Sequence, residues 1–342
     1  MNPILGEDLS KTTDGETTFI KQVLENNYGD IIYSLEPLLL KPDKRIFKIT
    51  TDKGITWVVR AYAPDTSRIE VEDYIRNLLF LEKHNFPAER LIRTKAQENF
   101  VEVDDWNFLV TSFVSGKKLD SSSESFKLLG ETLGKLHSIN LADSLEIPKS
   151  KMLPRKEINY ALSELAKVKS QVPENLISRF EYLESELNKL NFGEDLPEVF
   201  IHSDCHPSNA VRVNLGEVVL FDWQESGLGP AVMDLAYLLL SCDRMAPWLH
   251  QDALNDPDPW PEERIKAVIE GYKKYFTLTQ KDLNLLPDML RFRSLIFGAV
   301  NFSRLVKGQT KDDESLWWWK RFNASNEIAN KTQKYVLSVQ QD

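Results

Sequence analysis

Short runs of alternating or β-branched apolar residues dominate residues 1–115 of this 342-residue chain. Runs of this kind, bounded by turn residues, predict strands at residues 45–50, 56–62, 100–103 and 107–114. Apolar residues from Val71 to Leu79 recur on one helical face, which predicts a helix between the second and third strands. Ser115 and Gly116 interrupt the pattern and mark a candidate hinge.

Helical spacing replaces the strand pattern beyond residue 116. Phe126, Leu129, Leu133 and Leu136 recur every three or four residues, which predicts an amphipathic helix ending at His137. Further helices are predicted at residues 157–170, 174–191, 262–276, 282–306 and 314–339. The chain therefore reads as an α+β protein with a small β-rich N-lobe and a large, mostly helical C-lobe, divided as residues 1–115 and 116–342.

Composition and charge narrow the class of protein. Hydrophobic residues make up 42% of the chain and charged residues 27%, which is typical of a globular protein. The net charge of −10 argues against binding to nucleic acid through general phosphate attraction. The two cysteines suit a reducing compartment, and neither a leader sequence nor an apolar run of ~20 residues is evident. We expect a cytoplasmic protein that binds neither nucleic acid nor a membrane; its oligomeric state stays open.

Polar residues are concentrated around two short predicted strands of the C-lobe, at residues 199–201 and 217–221. HSDCHPSN follows the first strand and places Asp204 five residues before Asn209; the second strand leads directly into Asp222. Phosphoryl transfer from a nucleotide needs one carboxylate to orient the attacking hydroxyl, and an amide and a second carboxylate to hold Mg²⁺. The set therefore predicts this chemistry in residues 200–236.

These motifs resemble the catalytic and metal loops of the aminoglycoside phosphotransferase and choline kinase-like family, which is distantly similar to the protein kinases. LGETLGKLH at residues 129–137 and the segment from Gly229 to Tyr237 resemble further motifs of that family. The resemblance covers roughly residues 20–305. It implies a bilobal protein kinase-like fold and an enzyme that transfers the γ-phosphate of ATP or GTP, with Mg²⁺, to a hydroxyl group of a small molecule.

The resemblance also implies roles for individual residues of the C-lobe. Asp204 becomes the catalytic carboxylate, and Asn209 and Asp222 become the Mg²⁺ ligands. His202 and Asp234 become supports of the catalytic loop.

In the N-lobe, the resemblance implies nucleotide contacts. Arg60, in the predicted strand at residues 56–62, becomes the cation that contacts the phosphates. The stretch from Phe108 to Gly116 resembles the hinge that holds adenine through backbone hydrogen bonds, so the backbone near Ser112 and Val114 would contact the purine.

Two features depart from the family pattern. The stretch that corresponds to the nucleotide loop, residues 40–45, contains no glycine. The acid expected to pair with the phosphate-contacting cation is replaced by Tyr74. Glu70 lies one helical turn earlier on the same face as Tyr74, so we expect Glu70 to pair with Arg60.

Two other functions remain compatible with these residues. The departures favour a catalytically silent member of the fold that binds a nucleotide or another ligand, whereas the Asp204, Asn209 and Asp222 set opposes it. A metal-dependent hydrolase could instead use His202, Asp204 and His206 as zinc ligands.

Candidate substrate contacts are Gln224, after the second short strand, and two tryptophans beside an acidic segment, Trp248 and Trp260. Acidic and aromatic residues can bind a cationic substrate. The acidic segment, however, also fits an ordinary solvated loop.

Overall fold

The structure is a computed structural model that describes residues 13–41, 43–64, 66, 68–142, 147–192, 196–214, 216–243, 260–310 and 312–337. Two compact units divide between Ser115 and Gly116. None of the helices in the described ranges combines the length and apolar composition needed to cross a lipid bilayer.

The first unit is built on an antiparallel sheet. Its strands are β1 (Ile32–Leu40), β2 (Lys44–Thr51), β3 (Thr56–Tyr62), β4 (Val101–Val103) and β5 (Trp106–Ser112), in the order β1-β2-β3-β5-β4. Its helices are α1 (Asp14–Tyr28) and α2 (Arg68–Lys83). The four predicted strands and the predicted helix are confirmed, whereas α1 and β1 are additional.

Alternating side chains of the central strands form the core of this unit. Phe47 on β2, Val59 on β3 and Phe108 on β5 are fully buried, together with Ile20 and Leu24 on α1. β2 shows the strict alternation of buried and half-buried positions expected for a strand with one face on a core. This packing fixes the register of β3, the strand that carries Arg60.

The second unit is mainly helical. Its helices are α3 (Ser123–His137), α4 (Pro154–Val168), α5 (Ile177–Lys189), α6 (Ala231–Leu240), α7 (Glu262–Tyr272), α8 (Gln280–Val306) and α9 (Asp312–Leu337). Its short strands are β6 (Lys117–Lys118), β7 (Glu198–Ile201), β8 (Ala210–Asn214), β9 (Glu217–Leu220) and β10 (Gly227–Pro230). All six predicted helices are confirmed, with ends that differ by a few residues.

The β structure of this unit is richer than the sequence predicted. The two predicted strands, β7 and β9, belong to different sheets: β7 pairs with β10, and β9 pairs with β8, which pairs with β6. Both predicted strands are therefore confirmed, and β6, β8 and β10 are additional strands that complete two small antiparallel sheets within the described residues. Strands as short as β6 and β10 carry too few residues for a recognisable alternation.

Glycines allow α3 and α7 to touch backbone to backbone. A Cβ atom on Gly130 would lie 2.2 Å from the carbonyl oxygen of Val268, and one on Gly134 would lie 2.4 Å from that of Tyr272. Neither carbonyl can move without breaking its helix. The close crossing brings Tyr272 against His137 at the end of α3.

Gly134→Ala is therefore expected to lower the free energy of unfolding by about 2 kcal/mol, because the new methyl group cannot fit against the α7 backbone. Gly15→Ala is the matched control, since its Cβ would meet only Thr13 Oγ1 at 3.9 Å. That variant should gain up to about 1 kcal/mol from helix propensity. Urea unfolding measures both, and equal stabilities of the two variants would contradict the crossing.

Candidate active site

Asp204, Asn209 and Asp222 lie on loops joined by the β8–β9 hairpin. Asp204 follows β7, Asn209 precedes β8, and Asp222 follows β9. Antiparallel pairing of β8 with β9 places Asn209 and Asp222 at the same end of the hairpin. The Phe221 N–H donates to the Asn209 carbonyl oxygen at 3.0 Å and extends the pairing to the residue before Asp222. Three residues spread over 19 positions of sequence are thereby brought to one set of loops.

The amide of Asn209 is oriented by Asp204. Its Nδ2 donates to Asp204 Oδ2 at 2.7 Å and to the Asp204 carbonyl oxygen at 3.0 Å. With the nitrogen committed to two acceptors, the amide oxygen points away from Asp204 and is available to a cation. Asp222, half-buried in a left-handed backbone conformation (φ 69°), offers carboxylate oxygens. Hard oxygen donors of this kind suit Mg²⁺, which takes its remaining ligands from water and phosphate.

The carboxylate of Asp204 is surrounded by donors. His206 Nε2 lies 3.5 Å from Asp204 Oδ2, and the Tyr237 hydroxyl donates to the same carboxylate. Burial opposes ionisation, but the hydrogen bonds from His206 and Tyr237 outweigh it and lower the pKa of Asp204. Asp204 is therefore an anion at neutral pH and a hydrogen-bond acceptor.

His202 connects the two loops. Its Nδ1 accepts from the Asp204 N–H at 3.2 Å, and its Nε2 faces the Phe221 carbonyl oxygen at 3.1 Å. With these partners, Nδ1 acts as an acceptor and Nε2 as a donor. Both ring nitrogens are thus used within the protein, and the ring packs 4.4 Å from that of Trp223. His202 is a structural link between Asp204 and the residue before Asp222.

This use of His202 contradicts the zinc alternative. A ligand nitrogen must be free of a proton and directed at the metal. Among the described residues, moreover, no group of three or more histidine, cysteine, aspartate or glutamate side chains is placed to hold a metal ion. The donors near Asp204 fit a cation shared with phosphate and water, and they do not form a zinc cage.

Asp234 anchors the backbone of the loop. Fully buried on α6, it accepts from the His202 N–H at 2.7 Å and the Ser203 N–H at 2.9 Å, and His137 Nε2 lies 3.2 Å from its Oδ2. Burial raises the pKa of Asp234, but the hydrogen bonds from His137 and from the His202 backbone N–H outweigh it and lower the pKa. His137 is held in turn by the Tyr272 hydroxyl at 2.7 Å. The close α3–α7 crossing therefore supports the loop that carries Asp204.

Arg60 is paired with a different acid from the predicted one. Its guanidinium donates to Thr111 Oγ1 at 2.9 Å and lies 3.4 Å from Glu89 Oε1. Tyr74 donates to the same Glu89 oxygen at 2.7 Å, and its ring lies 5.2 Å from the Arg60 guanidinium. Glu70 is exposed on α2, and the acid that the structure places against the Arg60 guanidinium is Glu89. Tyr74 occupies the face of α2 that lies toward Arg60. The carboxylate that contacts Arg60 comes from Glu89, in the segment after α2.

The end of β5 leaves a backbone donor beyond the sheet. The Ser112 N–H donates to the Arg90 carbonyl oxygen at 2.8 Å, and the Phe113 N–H donates to the Thr56 carbonyl oxygen at 3.2 Å. Val114 follows the strand, is half-buried, and donates to no backbone carbonyl within the described residues. Within the described residues, the Ser112 N–H is therefore used in backbone pairing, whereas the Val114 N–H is not.

The stretch predicted as the nucleotide loop is a tight hairpin turn. The Lys41 N–H donates to the Lys44 carbonyl oxygen at 2.9 Å, and the Lys44 N–H donates to the Lys41 carbonyl oxygen at 3.3 Å. The described residues of this stretch therefore form the paired ends of β1 and β2, and Pro42 lies outside the described residues.

The candidate substrate residues have different surroundings. Trp260 is only 2% exposed, and its carbonyl oxygen accepts from Lys331 on α9 at 2.8 Å. It is a core residue with no ring face open to a substrate, which corrects the prediction. Gln224 is half-buried in the 3₁₀ turn after Asp222. Trp248 and the acidic residues at 252–258 lie outside the described residues.

Solved structures with a similar fold include three enzymes. Amicoumacin kinase hAmiN, in complex with AMP-PNP and Ca²⁺, has a TM-score of 0.69 and 18% sequence identity over 94% of each chain. Choline kinase from Cryptosporidium parvum Iowa II has a TM-score of 0.61 and 14% identity over 95% of this chain and 99% of that chain. Spectinomycin phosphotransferase APH(9)-Ia, in complex with ADP and spectinomycin, has a TM-score of 0.58 and 16% identity over 93% and 98%. These similarities confirm the kinase-like α+β fold.

The sequence comparison gives the family. No curated protein sequence matches this chain. The family model described as "Phosphotransferase enzyme family" matches residues 36–272, more than two thirds of the chain and a range that contains Arg60, Asp204, Asn209 and Asp222. The chain therefore belongs to the phosphotransferase enzyme family, and its fold is that of kinases that act on small molecules.

Proposed function

We propose that this phosphotransferase moves the γ-phosphate of ATP or GTP to a hydroxyl group of a small molecule. The observation that carries the proposal is the convergence of Asp204, Asn209 and Asp222, with one anionic carboxylate, one oriented amide and one further carboxylate on adjoining loops. Asn209 and Asp222 would hold Mg²⁺, and the bound ion would supply positive charge to neutralise the β- and γ-phosphates.

Asp204 would accept a hydrogen bond from the acceptor hydroxyl and aim its oxygen at the γ-phosphorus. Its lowered pKa makes it a weak base toward an unreacted alcohol. In a loose phosphoryl-transfer transition state the hydroxyl becomes acidic only as the bond to phosphorus forms, so orientation comes first and proton transfer follows. The Asn209 amide keeps the Asp204 carboxylate in one rotamer for this purpose.

Arg60 would contact the phosphates, and the Val114 N–H would contact the purine. A guanidinium keeps its charge at any physiological pH and can bind two phosphate oxygens at once. Thr111 and Glu89 fix its direction from β5 and from the segment after α2. The Tyr74 hydroxyl donates to Glu89 Oε1, the oxygen that also faces Arg60. This hydrogen bond holds the Glu89 carboxylate beside the guanidinium, in place of an acid on α2.

A catalytically silent ligand-binding protein is the second candidate function. The glycine-free sequence of residues 40–45 favours it, since glycine lets backbone N–H groups approach phosphates closely. The intact Asp204, Asn209 and Asp222 set favours catalysis, because binding alone does not require a base.

ADP formation from Mg·ATP or Mg·GTP over an acceptor panel tests the proposed function. Choline, ethanolamine, aminopropanol, spectinomycin and a macrolide form the first panel, since enzymes with this fold are named for these acceptors. Acceptor-dependent ADP formation that disappears in Asp204→Asn supports the proposal. Tight nucleotide binding without turnover across the panel would favour the silent protein.

Glu89→Gln is expected to weaken binding of Mg·AMP-PNP about tenfold, because a neutral partner no longer fixes the Arg60 guanidinium. Glu70→Gln is the matched control on α2 and should change the dissociation constant less than about twofold. Isothermal titration calorimetry measures both constants. A larger effect at Glu70 than at Glu89 would contradict the observed pairing.

A further inference from the structure

Ser203 holds a strained backbone conformation directly before Asp204. Its φ is 72°, in the left-handed region, and the residue is fully buried. This region disfavours residues with a side chain, because Cβ crowds the following carbonyl oxygen, and serine enters it less readily than asparagine or aspartate. A strained residue persists only where its surroundings hold it. The direction of the Asp204 side chain depends on this peptide.

Each polar group of Ser203 has its own partner. Its N–H donates to Asp234 Oδ1 at 2.9 Å, its Oγ lies 2.7 Å from Ser150 Oγ, and its carbonyl oxygen accepts from Arg293 Nη2. Ser150 Oγ donates to the Glu225 carbonyl oxygen at 2.9 Å, so the Ser203 hydroxyl is the donor in the pair of serines. Three separate elements therefore fix one residue.

Arg293 is a costly residue to bury. It lies on α8 with no exposed surface, and its Nε and Nη1 have no hydrogen-bond partner among the described residues. Its hydrogen bonds go to the Ser203 carbonyl oxygen and, at 3.6 Å, to the Met152 sulfur. The rings of Tyr237 and Phe297, 4.8 and 5.5 Å from the guanidinium carbon, compensate part of the desolvation. An apolar side chain would fill this space at lower cost, so packing alone does not explain an arginine.

Arg293 touches two of the groups that set the position of Asp204. It contacts the carbonyl of the residue before Asp204, and it packs on Tyr237, whose hydroxyl donates to the Asp204 carboxylate. Burial raises the pKa of Tyr237, and the Arg293 charge acts against that rise, which makes the hydroxyl a better donor.

We infer that Arg293 is a positioning residue for phosphoryl transfer: together with Ser150 it holds Ser203 in the left-handed conformation and so aims the Asp204 carboxylate at the acceptor hydroxyl. The inference rests on the proposed role of Asp204.

Arg293→Met in three backgrounds tests the inference: wild type, Ser203→Ala and Ser203→Gly. Glycine adopts a positive φ without strain, whereas alanine keeps the strain and loses the hydroxyl. Arg293→Met should lower kcat about tenfold or more in the wild-type and alanine backgrounds, and less than about threefold in the glycine background. The KM for ATP should stay within about twofold throughout, because the nucleotide contacts are elsewhere. Equal losses in the alanine and glycine backgrounds would overturn the inference.

Two further variants keep the test decisive if Arg293→Met does not fold. Arg293→Lys retains a donor for the Ser203 carbonyl oxygen and should keep kcat within about threefold of wild type. Ser203→Ala should have a kcat about tenfold below that of Ser203→Gly, a comparison that needs no change at Arg293. Retention of full activity by Ser203→Ala would count against the positioning role.

Turnover is followed with the acceptor found in the panel, or with water as acceptor where no panel compound reacts. Asp204→Asn, measured in parallel, separates the inference from the proposed function. If Asp204→Asn turns over like wild type, the assignment of Asp204 is wrong and the role of Arg293 falls with it. If Asp204→Asn is inactive while Arg293→Met is fully active, the inference about Arg293 alone is wrong.

Discussion

Asp204→Asn is expected to lower kcat by about 10²- to 10⁴-fold, the range that a positioned acid–base group contributes. Asparagine has the size of aspartate and can still accept from the Asn209 amide, so the loop should keep its shape. The substitution removes the anion that orients the acceptor hydroxyl and finally takes its proton. The dissociation constant of Mg·AMP-PNP should change less than about threefold, because the loss falls on the transfer step.

Ser208→Ala is the matched control for this variant. Ser208 lies in the same loop with an exposed side chain, and the hydrogen bond it makes within the described residues is from its backbone N–H to His206 Nδ1 at 3.2 Å. Its kcat should stay within about twofold of wild type. A kcat for Asp204→Asn close to that of Ser208→Ala would remove Asp204 from the mechanism.

Asp222→Asn is expected to abolish the Mg²⁺-dependent part of nucleotide affinity. Asparagine tolerates the left-handed φ of 69° and preserves the turn, whereas alanine would add strain. Replacing a charged oxygen ligand by a neutral one should weaken binding of AMP-PNP with Mg²⁺ by about 100-fold. In EDTA, the variant should bind AMP-PNP as tightly as wild type does, because no cation then links Asp222 to the phosphates.

Glu217→Gln removes the same charge at the opposite end of β9 and is the control for Asp222→Asn. Glu217 is exposed, so both affinities should stay within about twofold of wild type. Calorimetric titration with Mg²⁺ and with EDTA measures all three proteins. If Asp222→Asn weakens AMP-PNP binding equally with Mg²⁺ and with EDTA, Asp222 supports the fold and does not hold the cation.

Residue patterns give most of the local structure of this chain. β3 covers residues 56–62 as predicted, because its β-branched and aromatic run lies in the centre of a sheet. α1 could have been found, since Thr13 and Glu16 form a capping box before Ile20 and Leu24. β1 could not: it is an edge strand, mostly exposed, and contains Pro37 where an edge tolerates it.

The candidate site shows where sequence reasoning stops. Asp204 and Asp222 can be selected from the sequence because each follows a short predicted strand, and loops at strand ends are where a scaffold holds reactive groups. Glu89 is not found, because helical spacing selects Glu70 and nothing local shows that a segment 29 residues beyond Arg60 returns to it. Arg293 is out of reach for the same reason, since 90 residues separate it from Ser203. Long-range packing decides both contacts.

The most direct test of the central claim is ³¹P NMR of ATP incubated with Mg²⁺, the acceptor panel and either wild type or Asp204→Asn. We expect the γ-phosphate signal of wild type to be replaced by a phosphomonoester signal with ADP, and the signal in Asp204→Asn to stay unchanged over the same time. ATP that binds to wild type and keeps its γ-phosphate, or equal phosphomonoester formation by both proteins, would contradict the assignment of the Asp204, Asn209 and Asp222 loops to phosphoryl transfer.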